Sequence, residues 1–186
     1  MSETIEFYVD GEVVSAENGV TIIDAMIKAG KHVVGHVGCK GGACGACTCI
    51  VRREDGKSVP ALACRTLAEN GMRVSFPKPD VRPVKYVLEQ MPYTSGLISE
   101  LYPEIYNCVT CGKCTKNCVK GIDVRLMIEN AKYGDLKKVA DISFSCIGCG
   151  ACSFGCPAKI NHAEVGLLAR RFYAKYLAPK TGSENK

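Results

Sequence analysis

Two stretches decide the reading of this chain. The first is Cys108-Val109-Thr110-Cys111-Gly112-Lys113-Cys114-Thr115-Lys116-Asn117-Cys118. The second is Cys146-Ile147-Gly148-Cys149-Gly150-Ala151-Cys152-Ser153-Phe154-Gly155-Cys156, followed by Pro157. Both read C-x2-C-x2-C-x3-C, the ligand run of a ferredoxin-like unit with two 4Fe–4S clusters, in which each run's fourth cysteine serves the other cluster. The spacing therefore predicts one set made of Cys108, Cys111, Cys114 and Cys156, and another made of Cys146, Cys149, Cys152 and Cys118. A zinc ribbon on Cys108, Cys111, Cys146 and Cys149 is the plainer alternative. It leaves four regularly spaced cysteines without a task. Neither run lacks a cysteine, which favours 4Fe–4S over 3Fe–4S at both places.

Working outward, a third set lies upstream at Cys39, Cys44, Cys47 and Cys64. Its C-x4-C-x2-C…C spacing is that of a plant-type 2Fe–2S centre. The loop Gly38-Cys39-Lys40-Gly41-Gly42-Ala43-Cys44-Gly45-Ala46-Cys47 places three thiols in a tight wrap. Its glycines permit positive φ and let backbone N–H groups approach sulfur. Twelve of the 13 cysteines thus have a metal task. The thirteenth, Cys49, is expected to be a small buried apolar residue on the strand that leaves the loop.

The bulk numbers exclude several classes. A chain of 186 residues suits two small domains rather than one large core. An odd cysteine count and a polar opening, Met1-Ser2-Glu3-Thr4, argue against a secreted disulfide scaffold. No apolar stretch approaches the roughly 20 residues of a membrane span. The formal charge is +5, but three clusters held by four thiolates each contribute about −6, so the loaded chain sits near about −1. Nucleic-acid binding thereby loses its electrostatic support. Residues 1–80 carry 9 Lys/Arg against 10 Asp/Glu, and residues 81–186 carry 15 against 9, an excess that offsets the C-terminal clusters.

The predicted fold class is α+β: an N-terminal β-grasp 2Fe–2S ferredoxin domain (residues 1–76), then an all-α ferredoxin-like domain with two 4Fe–4S clusters (residues 96–178). In the first part, residues 5–9 and 12–14 flank the turn Asp10-Gly11. A helix capped by Thr21 follows, with Ile22, Ile23, Met26 and Ile27 apolar and Gly30 as a stop. Strands are expected over residues 48–51 and 72–76. Residues 77–95 form the linker, with Pro77, Pro79 and Pro83 and a short helix over 84–91. Asp123 should cap a helix ending at Gly134. Asn161 with Glu164 should cap another running to about Leu177, with Val165, Leu168, Phe172 and Tyr176 on one face. Residues 179–186 form a disordered tail.

His36 reads as structural, and His32 and His162 as surface or helix-start residues. The pairs Lys137-Lys138 and Arg170-Arg171 read as solvated faces. Neither G-x-G-x-x-G nor G-x-x-x-x-G-K-[ST] occurs, so neither a Rossmann site nor a P-loop is supported. No constellation of general acid, base or nucleophile is visible, and no catalytic residue is assigned.

The order of a 2Fe–2S domain, a proline linker with Phe76-Pro77-Lys78-Pro79 and a helical domain with two cubane sites resembles the iron–sulfur subunit of succinate dehydrogenase and fumarate reductase. That family carries a mixed C-terminal set with a 3Fe–4S centre, whereas both runs here are complete, and Val119 stands where the ferredoxin pattern has proline. Residues 106–176 are similar to the C subunit of heterodisulfide reductase, and the fusion resembles thiol:fumarate reductases. The loop from Cys39 to Thr48 is similar to the 2Fe–2S domain of the xanthine oxidase family, without that family's second motif. These resemblances imply a relay of single electrons between a flavoprotein subunit, carrying FAD, and a second redox subunit or carrier, with no nucleic acid as partner. A redox-sensing or structural iron–sulfur protein is the alternative. A cytoplasmic location is expected, with any attachment to a membrane peripheral and through partners.

Overall fold

The computed structural model describes residues 3–31, 38–76 and 84–179. The expectations for His32, His36, the prolines at 77, 79 and 83 and the tail beyond Pro179 lie outside the described residues.

Strand β1 (Thr4–Val9) alternates outward and inward side chains, sending Ile5, Phe7 and Val9 into the core. It turns through Asp10 (φ 49°) and Gly11 (φ 93°) into β2 (Glu12–Glu17). Positive φ at both central residues matches the right-handed twist of a tight hairpin. Helix α1 (Ile22–Lys28) is capped by Thr21, whose side chain accepts from the Asp24 N–H, and it buries Ile22, Ile23, Ala25 and Met26. Strands β3 (Thr48–Arg52), β4 (Ser58–Leu62) and β5 (Arg73–Ser75) complete a sheet, in the order β2-β1-β5-β3-β4 among the described residues. Among the described residues only the β1–β5 pairing is parallel. Strand β4 returns antiparallel to β3 after the turn at residues 54–57, although it contains Pro60. It lies at the sheet edge, where proline's missing N–H breaks no ladder.

A separate helical core gathers Leu97, Ile98, Ile105, Ile128, Val139, Ile160, Val165, Leu168 and Phe172. Its elements are α2 (Leu97–Leu101), α3 (Lys113–Lys116), α4 (Val124–Lys132), α5 (Leu136–Ile142) and α6 (His162–Phe172). The caps work as expected. Asp123 accepts from the Leu126 N–H at the start of α4, and Asn161 accepts from the Glu164 N–H at the start of α6. Beyond α6 the helix continues as one π-type turn over Tyr173–Leu177. Val165, Leu168 and Phe172 are buried, whereas Tyr176 is half-exposed and stacks on Phe172 at 5.6 Å.

The helix expected over 84–91 is not formed; only Leu88–Gln90 make a 3-10 turn. Prolines at 83 and 92 bracket this segment, and Met91, preceding Pro92, is steered away from helical ψ. Side chains of the last helix hold it instead: Arg171 donates to Tyr86 Oη at 3.1 Å, and Lys175 to the Leu88 carbonyl at 2.6 Å.

Candidate iron–sulfur sites

The N-terminal site is a loop held between helix and strand. The N–H groups of Ile22 and Ile23 donate to the carbonyls of Thr66 and Ala63, drawing the Cys64 segment against the start of α1. On the other side Thr48 closes the loop, its N–H and Oγ1 both donating to the Gly45 carbonyl at 3.0 and 2.7 Å. The four cysteines are thereby split into two pairs. Cys39 and Cys44 are exposed, while Cys47 and Cys64 are buried.

Cys39 Sγ accepts from the N–H groups of Gly41 and Cys44, both at 3.3 Å, and Cys44 Sγ accepts from the Cys39 N–H. Donors from Cys44, Gly41 and Ala43 lower the Cys39 thiol to about 6, so a thiolate is favoured there without a metal. Cys47 behaves oppositely: burial, with Cys64 beside it, raises it to about 11. Cys49 belongs to the core of β3. It is fully buried, its thiol faces the Ala61 carbonyl at 3.6 Å, and burial raises it to about 12.

The two C-terminal runs surround two cavities. Cavity A is lined by Cys108, Cys111, Cys114 and Cys156. Cavity B is lined by Cys146, Cys149, Cys152 and Cys118. Each run thus lends its last cysteine to the wall of the other cavity. Asn117 Nδ2 stitches them further, donating at 3.4 Å to the carbonyls of Ala151 and Phe154. Backbone N–H groups again face sulfur: Ile122 donates to Cys118 Sγ at 3.4 Å and Gly148 to Cys146 Sγ at 3.5 Å.

Two thiols inside these cavities, Cys152 and Cys114, resist ionisation on their own. Burial, and then the neighbouring charges of Cys146, Cys149 and Cys118, push Cys152 up to about 12. Cys114 is raised for the same first reason, with Cys108 and Cys156 adding to it. Four thiolates around one space repel one another unless a positive centre lies between them, and an iron–sulfur core supplies one. Among the described residues, no three His, Cys, Asp or Glu side chains converge as the ligands of a single ion would. Donor type, burial and backbone N–H groups fit clusters at these places.

Two residues overlooked in the sequence belong to this region. His162 is 2% exposed, not a surface residue, and lines both cavities. Ser153 Oγ stands 3.2 Å from its Nδ1 and accepts from its backbone N–H at 3.3 Å, and burial lowers the imidazole to about 4. Arg170 is not part of a solvated face either. It donates to the carbonyls of Phe144 and Cys146 at 3.2 and 3.1 Å, bracing the entry to the second run.

The first cysteine loop also touches the second run. Gly45 is buried although Cys44 and Ala46 beside it are exposed, and Ile147 is what covers it. A Cβ placed on Gly45 would overlap Ile147 Cδ1 and stand 2.9 Å from its Cγ1, so this packing requires glycine. Gly45 also holds φ +72°, where a side chain is strained in any case.

Against known proteins, no curated protein matches this chain. Among solved structures it aligns with quinoline 2-oxidoreductase from Pseudomonas putida 86 at 21% identity, covering 91% of this chain and 97% of that one, with a TM-score of 0.37. Residues 2–78 match the model of a 2Fe-2S iron-sulfur cluster binding domain, and that stretch holds the four-cysteine loop site described above. The N-terminal part of this chain is a 2Fe–2S cluster domain.

Proposed function

We propose that this chain is the iron–sulfur electron-transfer subunit of a multi-subunit oxidoreductase, working between a flavoprotein that carries FAD and a second redox subunit or carrier. The observation that carries the reading is that Cys108, Cys111, Cys114 and Cys156 line one cavity and Cys146, Cys149, Cys152 and Cys118 line another, downstream of a stretch that matches a 2Fe–2S cluster binding domain. In this reading Cys39, Cys44, Cys47 and Cys64 hold the 2Fe–2S cluster of a β-grasp ferredoxin domain. Cys108, Cys111, Cys114 and Cys156 hold one 4Fe–4S cluster, and Cys146, Cys149, Cys152 and Cys118 hold the other. Such clusters accept and release electrons singly. The chain's own residues fix the sulfurs, aim N–H groups at them and keep bulk water from the buried ones. The cysteine spacings, which resemble those of fumarate reductase and heterodisulfide reductase subunits, support a partner of that type.

Protein prepared and analysed without oxygen should hold about 10 irons per chain, from one two-iron and two four-iron clusters, with little zinc. About 2 irons, or zinc in proportion to chain, would overturn the three-cluster reading. With the flavoprotein present, Cys44→Ser should stop electron passage through the complex while the flavin half-reaction with artificial dyes survives.

A further inference from the structure

The two runs offer equivalent residues to their surroundings, yet among the described residues it is the second run's Ile147 that lies against the 2Fe–2S loop. Val109 and Ile147 both follow the first cysteine of a run. Val109 is 65% exposed, whereas Ile147 lies over Gly45, which directly follows Cys44. Cys111, two residues beyond Val109, is exposed as well, while Cys149 is partly buried. The order of the sites along the molecule is therefore readable, and it does not follow their order along the chain.

We infer that the contact of Ile147 with Gly45 makes cavity B the electronic neighbour of the 2Fe–2S site and leaves cavity A at the far end. This rests on the three-cluster reading above. The physical ground is that electron tunnelling through protein weakens exponentially with separation, so the pair of sites in direct contact dominates exchange. Gly45 adds no side chain between the two backbones, and Ile147 is flanked by a ligand-set residue, Cys146, with Cys149 two positions on. One electron crosses at a time, the giving site being oxidised and the taking site reduced, with no atom or proton transferred. The residues between them act by position.

The test uses the full chain, loaded with iron and reduced by dithionite, and reads the microwave-power saturation of the 2Fe–2S electron paramagnetic resonance signal. A reduced cluster nearby speeds the relaxation of that signal. Cys118→Ser, altering the cavity B cluster, should lower the half-saturation power several-fold; Cys156→Ser, altering cavity A, should leave it near wild type. The opposite result, in protein that retains its 2Fe–2S signal, overturns the order while leaving the three-cluster reading intact. Where a serine variant fails to load, Ile147→Trp keeps all twelve cysteines and widens the contact. It should slow relaxation, whereas Val109→Trp should not. Equal effects of the two tryptophans would also overturn the inference. Wild-type protein lacking 4Fe–4S iron would instead sink the reading beneath it, and iron analysis tells the two failures apart.

Discussion

Thr110 and Gly148 stand at matching places in the two runs and share positive φ, 55° and 69°. Gly112 and Gly150 match likewise at 71° and 76°, as do Gly121 and Lys159 at 68° and 51°. The likeness continues into the helices. Asp123 and Asn161 each lie five residues past the last cysteine of a run, and each caps a helix. One backbone solution has been used twice, even where a threonine and a lysine must bear a conformation that suits glycine. The surroundings of the copies differ: the first faces solvent through Val109, and the second faces Gly45 through Ile147. Just inside the caps the copies also diverge, Val124 in the first against His162 in the second, both buried. The shared backbone reports what holding sulfurs around a cavity demands. The differences report where each copy sits.

The largest effect should come from exchanging the last cysteines. Cys118→Ser should damage the site built by the second run and spare that of the first, and Cys156→Ser should do the reverse, each affecting about four irons. Resonance spectra showing damage confined to the mutated run would break the crossed symmetry.

Next comes the contact that distinguishes the copies. Gly45→Ala combines a left-handed residue with overlap on Ile147, and should cost about 2–4 kcal/mol. Gly148→Ala, at φ +69° with nothing within 4 Å of its Cβ, should cost only about 1–2 kcal/mol. Denaturation midpoints of the iron-loaded variants measure the gap, and equal losses would mean that Ile147 does not press on the loop.

The third prediction concerns acid. His162 is held neutral by burial, with its folded value lowered to about 4 against an ordinary 6.5. Below pH 6.5 the unfolded chain therefore binds a proton that the folded chain refuses. Stability falls with pH down to about 4, by up to about 3 kcal/mol at 1.4 kcal/mol per pH unit. His162→Val, which copies Val124 into the second repeat, should flatten the pH dependence of unfolding in that window. An unchanged slope would show that the imidazole is not the source.

The smallest effects belong to the caps. Asp123→Ala and Asn161→Ala should each cost about 1 kcal/mol. The Asp123 loss should be the larger, because its carboxylate also accepts from Thr115 Oγ1 at 3.1 Å. Its N–H partner at Leu126, chiefly, holds the Asp123 carboxyl below its ordinary value, so the excess should fade as acid protonates that group. Thermal midpoints compared at neutral and acidic pH would check this.

Much of this was legible because cysteine spacing, caps and tight turns are local. The three sulfur sets, Asp10-Gly11, Thr21, Asp123 and Asn161 can all be read within a few residues of themselves. Cys49 could be separated from Cys47 because only Cys47 stands at the C-x2-C spacing from Cys44. What escaped reading depends on distant partners. Ile147 looks like any apolar residue between two cysteines until Gly45 is brought over it. His162 looks like a solvated helix start, and only the convergence of both runs buries it. Arg170 and its neighbour Arg171 read as a charged pair, yet the first reaches the carbonyls that lead into the second run. Residues 84–91 carry a helical pattern, but the prolines at both ends and the grip of Arg171 and Lys175 override it.

The exchange of last cysteines between the two cavities also bears on synthesis. Cavity A opens with Cys108 but lacks a wall until Cys156 has left the ribosome, and cavity B, which opens with Cys118, waits for Cys152, only four residues earlier. The loop site needs nothing beyond Cys64 and the strand pairing that ends at Ser75. A growing chain can thus finish its N-terminal site while the other eight sulfurs remain open, and the two C-terminal sites must then be completed almost together. Any machinery that delivers iron meets two separate moments in the life of one molecule, an early one for a single site and a late one for a pair.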